Sequence, residues 1–386
     1  MFGSHLSIGG QQGMSGAVRE AVRLGLDCVQ VFTKNQQQWK APPLAPAAAA
    51  MWNEAIGEAG WTASTDGSQR VVSHASYLAN MGSPDAELWE KSVGLMREEV
   101  ERCETLKIGL LVFHPGSSTG SPREEGAERI ARGAARLLNE TRDYRTVLCL
   151  ENVAGAGSTL GRTFEELAGL RSRILELAVE LGVDAREAEG RVGFCLDTCH
   201  MHAAGYDLAS GNDGGMSALT QVRAVLGIQN VRCLHLNDSK GVAGSRLDRH
   251  EHIGEGTIGL KGFEAFLRDE VLSGVPKIME TPKGETKGGE AFDSINVSRL
   301  RAIARGEIAS VAIVALSEKK DGGSTKARSL EEKTERVSTK GGKGGKGGKG
   351  GKGLKSEKDE TGEKSAKGLK KKVVKKVAKK VLKKRG

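Results

Sequence analysis

Residues 192–200 read VGFCLDTCH: an apolar run that ends in a carboxylate, with an imidazole three residues further on. A strand buried on both faces reads as such a continuous apolar run, because neither face alternates toward water. The same pattern recurs through the chain. It is found in FGSHLSIG near residue 5, DCVQVFT ending at Thr33, RVVSHAS near His74 and GLLVFHPG ending at Gly116. It returns in TVLCLEN ending at Asn152, VGFCLDT ending at Thr198, VRCLHLND ending at Asp238 and PKIMETP ending at Pro282. Between these eight strand candidates lie stretches with helical spacing and acidic or alanine-rich faces. Strand alternating with helix over about 250 residues or more predicts an α/β fold, a (β/α)8 TIM barrel. A doubly wound sheet is the other arrangement this alternation permits, and the count of eight favours closure.

The total charge of +9 conceals two opposite parts. Residues 317–386 hold 25 Lys+Arg against 9 Asp+Glu, a net of +16, which leaves −7 on residues 1–316. The basic part carries a GGK repeat from Gly341 to Gly353 and closes on KKVVKKVAKKVLKKRG. Glycine at that density cannot build a packed core, so a disordered, solvated tail is expected, able to attach to nucleic-acid phosphates by neutralising them and releasing counterions. The expected organisation is therefore a barrel over 1–305, a transition segment over 306–316 and a basic tail over 317–386.

Six cysteines, Cys28, Cys103, Cys149, Cys195, Cys199 and Cys233, show no CxxC spacing, and four of them sit inside short apolar runs. They read as reduced core residues. The N-terminus lacks a basic segment followed by an apolar stretch, and no run approaches the roughly 18 apolar residues of a membrane span. The expectation is a soluble protein with no membrane partner.

Polar residues interrupt the strands at one end. Strands three to eight each finish on a potential metal ligand: His74, His114, Glu151, Asp197, His235 and Glu280. The carboxyl ends of parallel barrel strands are where active sites are assembled. Any one such residue is ordinarily just a hydrogen-bonded strand end. Six in register are different, because convergent carboxylates repel one another and lose solvation unless cations sit among them. Mixed nitrogen and oxygen donors suit Zn, Mn or Fe better than Ca or Mg.

Three further donors follow in loops. His200 lies three residues after Asp197, and SRLDRH places Asp248 and His250 two apart, so that extended backbone projects both the same way. Together they offer a third donor set. Cys199, between these ligands, is a poorer candidate.

At these residues the sequence resembles the endonuclease IV family of apurinic/apyrimidinic endonucleases, also described as AP endonuclease family 2. The matching segments are FTKNQQQW, HASYLANMGSP, FHPGSS, LENVAGAGSTLG, GFCLDTCHMHAAGYD, HLNDSK, GSRLDRHEHIGEGTIG and METP, spread over residues 3–282. The resemblance implies three zinc ions per chain, with Mn or Fe possible at some positions. His74, His114 and Glu151 would hold the first, and Glu151, Asp197, His235 and Glu280 the second. His200, Asp248 and His250 would hold the third. It also implies a metal-dependent phosphodiesterase, a deoxyribonuclease IV, that cuts duplex DNA 5′ to abasic sites in base excision repair, leaves a 3′-hydroxyl and trims blocked 3′ ends. Glu151 would be catalytic, orienting the attacking hydroxide or accepting its proton.

For DNA contact the resemblance points to Lys34, Gln37, Tyr77 and Leu78. Tyr77 and Leu78 would wedge into the base stack beside a flipped-out nucleotide. One position departs from the family pattern: Lys34–Trp39 read KNQQQW where relatives typically read KNQRQW, so Gln37 stands in place of an arginine directed at the minor groove. A monomer is expected, in the cytoplasm or nucleoid of a prokaryote or in a eukaryotic nucleus. The main rival is a sugar isomerase or epimerase on a similar barrel, which needs neither the third donor set nor the wedge. A nonenzymatic chromatin protein is a second, and the intact donor set argues against it.

Overall fold

The computed structural model describes residues 1–62, 70–311 and 316, all within one compact unit spanning Met1–Arg328. The basic tail expected over 317–386 lies outside the described residues.

Eight strands close into a parallel barrel: β1 (Phe2–His5), β2 (Cys28–Val31), β3 (Val71–His74), β4 (Leu110–Phe113), β5 (Val147–Glu151), β6 (Val192–Asp197), β7 (Val231–His235) and β8 (Lys277–Met279). Each pairs with its neighbours in sequence, and β1 meets β8 to complete the ring, with Ser4 opposite Met279. Every residue of β2, β3, β4, β6 and β8 is buried, as the uninterrupted apolar runs predict. The doubly wound alternative is thereby excluded.

Helices cover the outside of the ring. Helix α3 (Ala86–Leu106) starts where Asp85 accepts the Leu88 amide at 2.9 Å, and it lays Val93, Met96, Val100 and Cys103 against the barrel at spacings of three and four. Helix α5 (Phe164–Glu180), capped by Thr163, does the same with Phe164, Leu167, Leu170, Ile174 and Ala178. These side chains belong to the large core between helices and strands. A second, smaller cluster fills the barrel itself: Cys28, Val72, Leu110, Val112, Cys149, Cys195, Cys233 and Ile278. All six cysteines are free and buried.

Among the described residues no helix is long and apolar enough to cross a membrane. The transition segment holds a 3-10 turn at Ile308–Ser310, and the Leu316 amide donates to both carboxylate oxygens of Glu255, at 3.1 and 2.9 Å.

Candidate metal centre

Side chains two apart on a strand share a face. Cys149, Cys195 and Cys233 point into the barrel, so Glu151, Asp197 and His235 point inward one layer higher, at the carboxyl mouth. Val72 and His74, Val112 and His114, and Ile278 and Glu280 repeat the relation. Each donor stands on a small apolar plug that closes the barrel beneath it.

Glu151 is the hub. Its Oε2 lies 3.1 Å from His74 Nε2 and 3.3 Å from His114 Nε2, while its Oε1 lies 2.9 Å from His235 Nδ1. His235 Nδ1 is also 3.3 Å from Glu280 Oε2. Two groups of donor atoms result, each within 4.8 Å of one another: His74 with His114 and Glu151, and Glu151 with Asp197, His235 and Glu280. Burial would raise the Glu151 carboxyl, but the adjacent imidazoles of His235 and His114 hold it well below the usual carboxylate range. His235 moves oppositely, since Glu280 and Glu151 overcome the burial that would lower it.

The loop donors reach the same mouth by local capping. Asp197 ends β6 and is the N-cap of helix α7 (Thr198–Ala204), accepting the His200 amide at 2.7 Å. That capping bond accounts for the three-residue spacing, because it returns His200 over the mouth. On the other side, Asp238–Ser239 pair antiparallel with His250–Glu251, and Asp238 accepts the amides of Gly254, Ile258 and Gly259 at 2.9–3.2 Å. The loop thus anchored brings Asp248 Oδ2 to 3.0 Å from His200 Nε2, and Asp248 Oδ1 to 3.5 Å from His250 Nε2. The grouping here differs from the expected triple of His200, Asp248 and His250, which does not form one group of donor atoms. Asp197 groups with His200 and His250, and Cys199 with Asp248 and His250. Burial pushes the Cys199 thiol well up, reinforced by Asp197 and Asp248.

The imidazole tautomers test whether these groups suit a metal. His74 Nδ1 donates to the Ala75 carbonyl at 2.8 Å, His200 Nδ1 to the Asn152 carbonyl at 2.9 Å and His250 Nδ1 to the Glu280 carbonyl at 3.2 Å. His235 Nε2 donates to the Gln30 amide oxygen at 2.8 Å. In each ring one nitrogen is thereby committed as donor away from the mouth, and the other faces the carboxylates, where a bound metal would take its lone pair. His200 Nε2 lies close to Asp248 yet lacks hydrogen-bond geometry to it, and Asp248 Oδ1 likewise has no hydrogen-bond partner among the described residues. A buried imidazole nitrogen and a carboxylate oxygen left without hydrogen-bond partners among the described residues, His200 Nε2 and Asp248 Oδ1, suit a cation between them. The donor set fits zinc.

Strands one and two also end on polar residues at this mouth, a contribution absent from the reading of strands three to eight. His5 Nδ1 lies 3.1 Å from Glu280 Oε1, and Gln30 Nε2 donates to the same oxygen at 2.7 Å. Both signals are present in the sequence: His5 ends β1 as His74 ends β3, and Gln30 is a lone amide within CVQV. Two asparagines complete the support. Asn152 holds the Asp197 backbone through both amide atoms, at 2.7 and 3.1 Å, and Asn237 donates to Asp197 Oδ2 at 2.7 Å.

Of the residues expected at a DNA surface, Gln37 is exposed, and Tyr77 and Leu78 are partly so. The Tyr77 ring stands 5.0 Å from that of His74 and 5.6 Å from that of His114, at the rim of the mouth. Ser76 Oγ donates to the Gln36 carbonyl at 2.6 Å, which ties the loop of Gln37 to that of Tyr77. Lys34 is turned inward: its ammonium pairs with Glu98 at 3.2 Å, and its side chain is 2% exposed.

The family model described as Xylose isomerase-like TIM barrel matches residues 18–300. The probable endonuclease 4 of Chloroflexus aurantiacus is 40% identical over 305 residues, covering 79% of this chain and 98% of that protein. Probable endonuclease 4 of Geobacter sulfurreducens is 38% identical, covering 79% and 94%. The crystal structure of endonuclease IV from Thermus thermophilus superposes with a TM-score of 0.64 at 34% identity, over 79% of this chain and 99% of that one. A D-tagatose 3-epimerase-like protein superposes with a TM-score of 0.56 at 18% identity, a likeness of fold alone. Sequence kinship thus separates the two branches of the barrel that the fold does not, and this chain belongs to the endonuclease IV family of metal-dependent phosphodiesterases.

Proposed function

We propose that this chain is a zinc-dependent endonuclease that hydrolyses the phosphodiester 5′ to abasic sites in duplex DNA, leaves a 3′-hydroxyl, and trims blocked 3′ ends. The observation that carries this reading is the approach of His200 to Asp248 at 3.0 Å beside the Glu151 hub, a third donor set that a sugar isomerase does not require. Three zinc ions are assigned: to His74, His114 and Glu151; to Glu151, Asp197, His235 and Glu280; and to His200, Asp248 and His250, with Mn or Fe as substitutes at some positions. Bound there, such ions would supply a nucleophile at neutral pH, by lowering the pKa of bound water toward about 7, and neutralise charge on phosphate and departing oxygen.

Glu151, which touches both strand-end groups, would orient the attacking water and accept its proton. Tyr77 and Leu78, at the rim, would fill the gap left by a displaced nucleotide, and Gln37 on the tied loop would meet the duplex. Lys34, buried against Glu98, serves this interface by holding that loop. The enzyme acts as a monomer. Its barrel over 1–305 inspects DNA, while the basic tail over 317–386, joined through 306–316, attaches to phosphates and keeps the enzyme with DNA in nucleoid or nucleus.

The test is incubation of the metal-loaded protein with a duplex carrying one abasic analogue, with and without prolonged chelation. A chelator-sensitive nick on the 5′ side is expected. Absence of a nick together with turnover of a ketose would overturn the reading in favour of an isomerase.

A further inference from the structure

The ligand imidazoles are not all held alike. His74, His200 and His250 donate to main-chain carbonyls, which no substitution removes. The outward nitrogen of His235 is instead held by a side chain, the amide oxygen of Gln30, at 2.8 Å. Gln30 is fully buried on β2 and reaches past the ends of β1 and β8 to β7.

The orientation of this amide follows from its surroundings. Its nitrogen donates to Glu280 Oε1 at 2.7 Å and lies 3.0 Å from His5 Nδ1. Exchanging nitrogen and oxygen would set the amide oxygen against the Glu280 carboxylate. It would also present an N–H to His235 Nε2, moving the lone pair to that nitrogen and the proton to Nδ1. The Glu280 carboxylate therefore orients Gln30, and Gln30 in turn fixes the proton of His235 on Nε2, leaving Nδ1 to face Glu151 at 2.9 Å and Glu280 Oε2 at 3.3 Å. One amide couples two donors of one group and leaves the inward atom of each open.

We infer that Gln30 is a positioning residue of the metal centre, setting the tautomer of His235 and holding Glu280 by one oxygen, with His5 closing the network behind it. This rests on the reading of His235 and Glu280 as metal ligands. Outer partners of this kind contribute roughly 10- to 100-fold to metal affinity.

The experiment follows zinc release from the loaded full-length protein into a colorimetric chelator, for wild type, Gln30→Leu, Gln30→Met and His235→Ala. In both Gln30 variants the zinc assigned to Glu151, Asp197, His235 and Glu280 is expected to leave roughly 10- to 100-fold faster, while the zinc of the His200 group leaves at the wild-type rate. Leu and Met are alternative truncations of the same amide, so folding of either, checked by thermal melting, suffices. Wild-type release from the Gln30 variants beside fast release from His235→Ala would overturn the inference alone. An equal acceleration of every release phase would also overturn it, by showing a merely structural role. Wild-type release from His235→Ala would instead overturn the ligand reading beneath it.

Discussion

His200 Nε2 stands 3.0 Å from Asp248 Oδ2, although the two residues reach the mouth from different elements, one from the first turn of α7 and the other from the loop after β7. This contact adds a loop donor to the strand-end groups, which Asp197 joins to His200 and His250. Asp248→Ala should leave the barrel folded and its strand-end donors in place. Metal analysis is expected to find two zinc ions per chain instead of three, and nicking of an abasic duplex should fall at least about 100-fold, some 2.7 kcal/mol of transition-state stabilisation. Three retained ions would contradict the assignment.

Removal of metal should make stability depend on pH in a defined direction. In the metal-free mouth, burial would lower His200, but Asp197 and Asp248 raise it well above its ordinary 6.5, and Glu280 and Glu151 do the same for His235. A group whose folded pKa is raised contributes stability that is fully present below the unfolded pKa and lost as pH climbs through the folded one. Glu151 and Glu280 are held well below 4.5 despite burial, chiefly by His235, so their contribution disappears as pH falls through the depressed values. Melting of chelated protein should therefore decline at alkaline pH above the ordinary histidine range and again in strong acid. Zinc-loaded protein should lack the alkaline decline, because metal replaces those protons. Identical pH profiles with and without zinc would refute this account.

Gln37 is exposed on a loop held by the Ser76 to Gln36 bond at 2.6 Å, so a longer cation at this position would project toward the duplex without repacking the core. Gln37→Arg should tighten binding of abasic duplex by up to about tenfold at low salt, with the gain shrinking as salt rises, as a single added phosphate or groove contact requires. Tyr77→Ala should act oppositely and lower nicking more than it lowers binding of undamaged duplex. Gel-shift titrations at two salt concentrations distinguish these outcomes.

Truncation after Leu316 keeps the Leu316 amide on Glu255 and removes 25 basic residues. The remaining body carries −7 before metals bind. Binding to undamaged DNA should weaken and its salt dependence flatten, while single-turnover cleavage of a bound abasic duplex stays within about twofold of the full chain. An unchanged salt slope would show that the tail takes no part in DNA attachment.

Much of the centre was legible in the chain because a buried parallel strand announces itself locally. An apolar run with one polar residue at its carboxyl end identifies both strand and mouth, and this sufficed for His74, His114, Glu151, Asp197, His235 and Glu280. The DTCH spacing was equally local, since Asp197 caps the helix that carries His200. Lys34 shows where local reading stops. The family resemblance points Lys34 toward DNA, and its ion pair with Glu98 on α3 at 3.2 Å is a contact that nothing near Lys34 in sequence announces.

By itself, then, the sequence determined the closed strand–helix alternation and the polar residue ending each strand, since both follow from spacing over a few residues. Only the tertiary structure decided which polar strand ends meet one another across the mouth. Gln30 meets Glu280 from 250 residues away and His235 from 205, and His5 meets Glu280 from 275. Barrel closure brings these ends together, and which nitrogen of His235 faces inward depends on an amide that no local spacing connects to it.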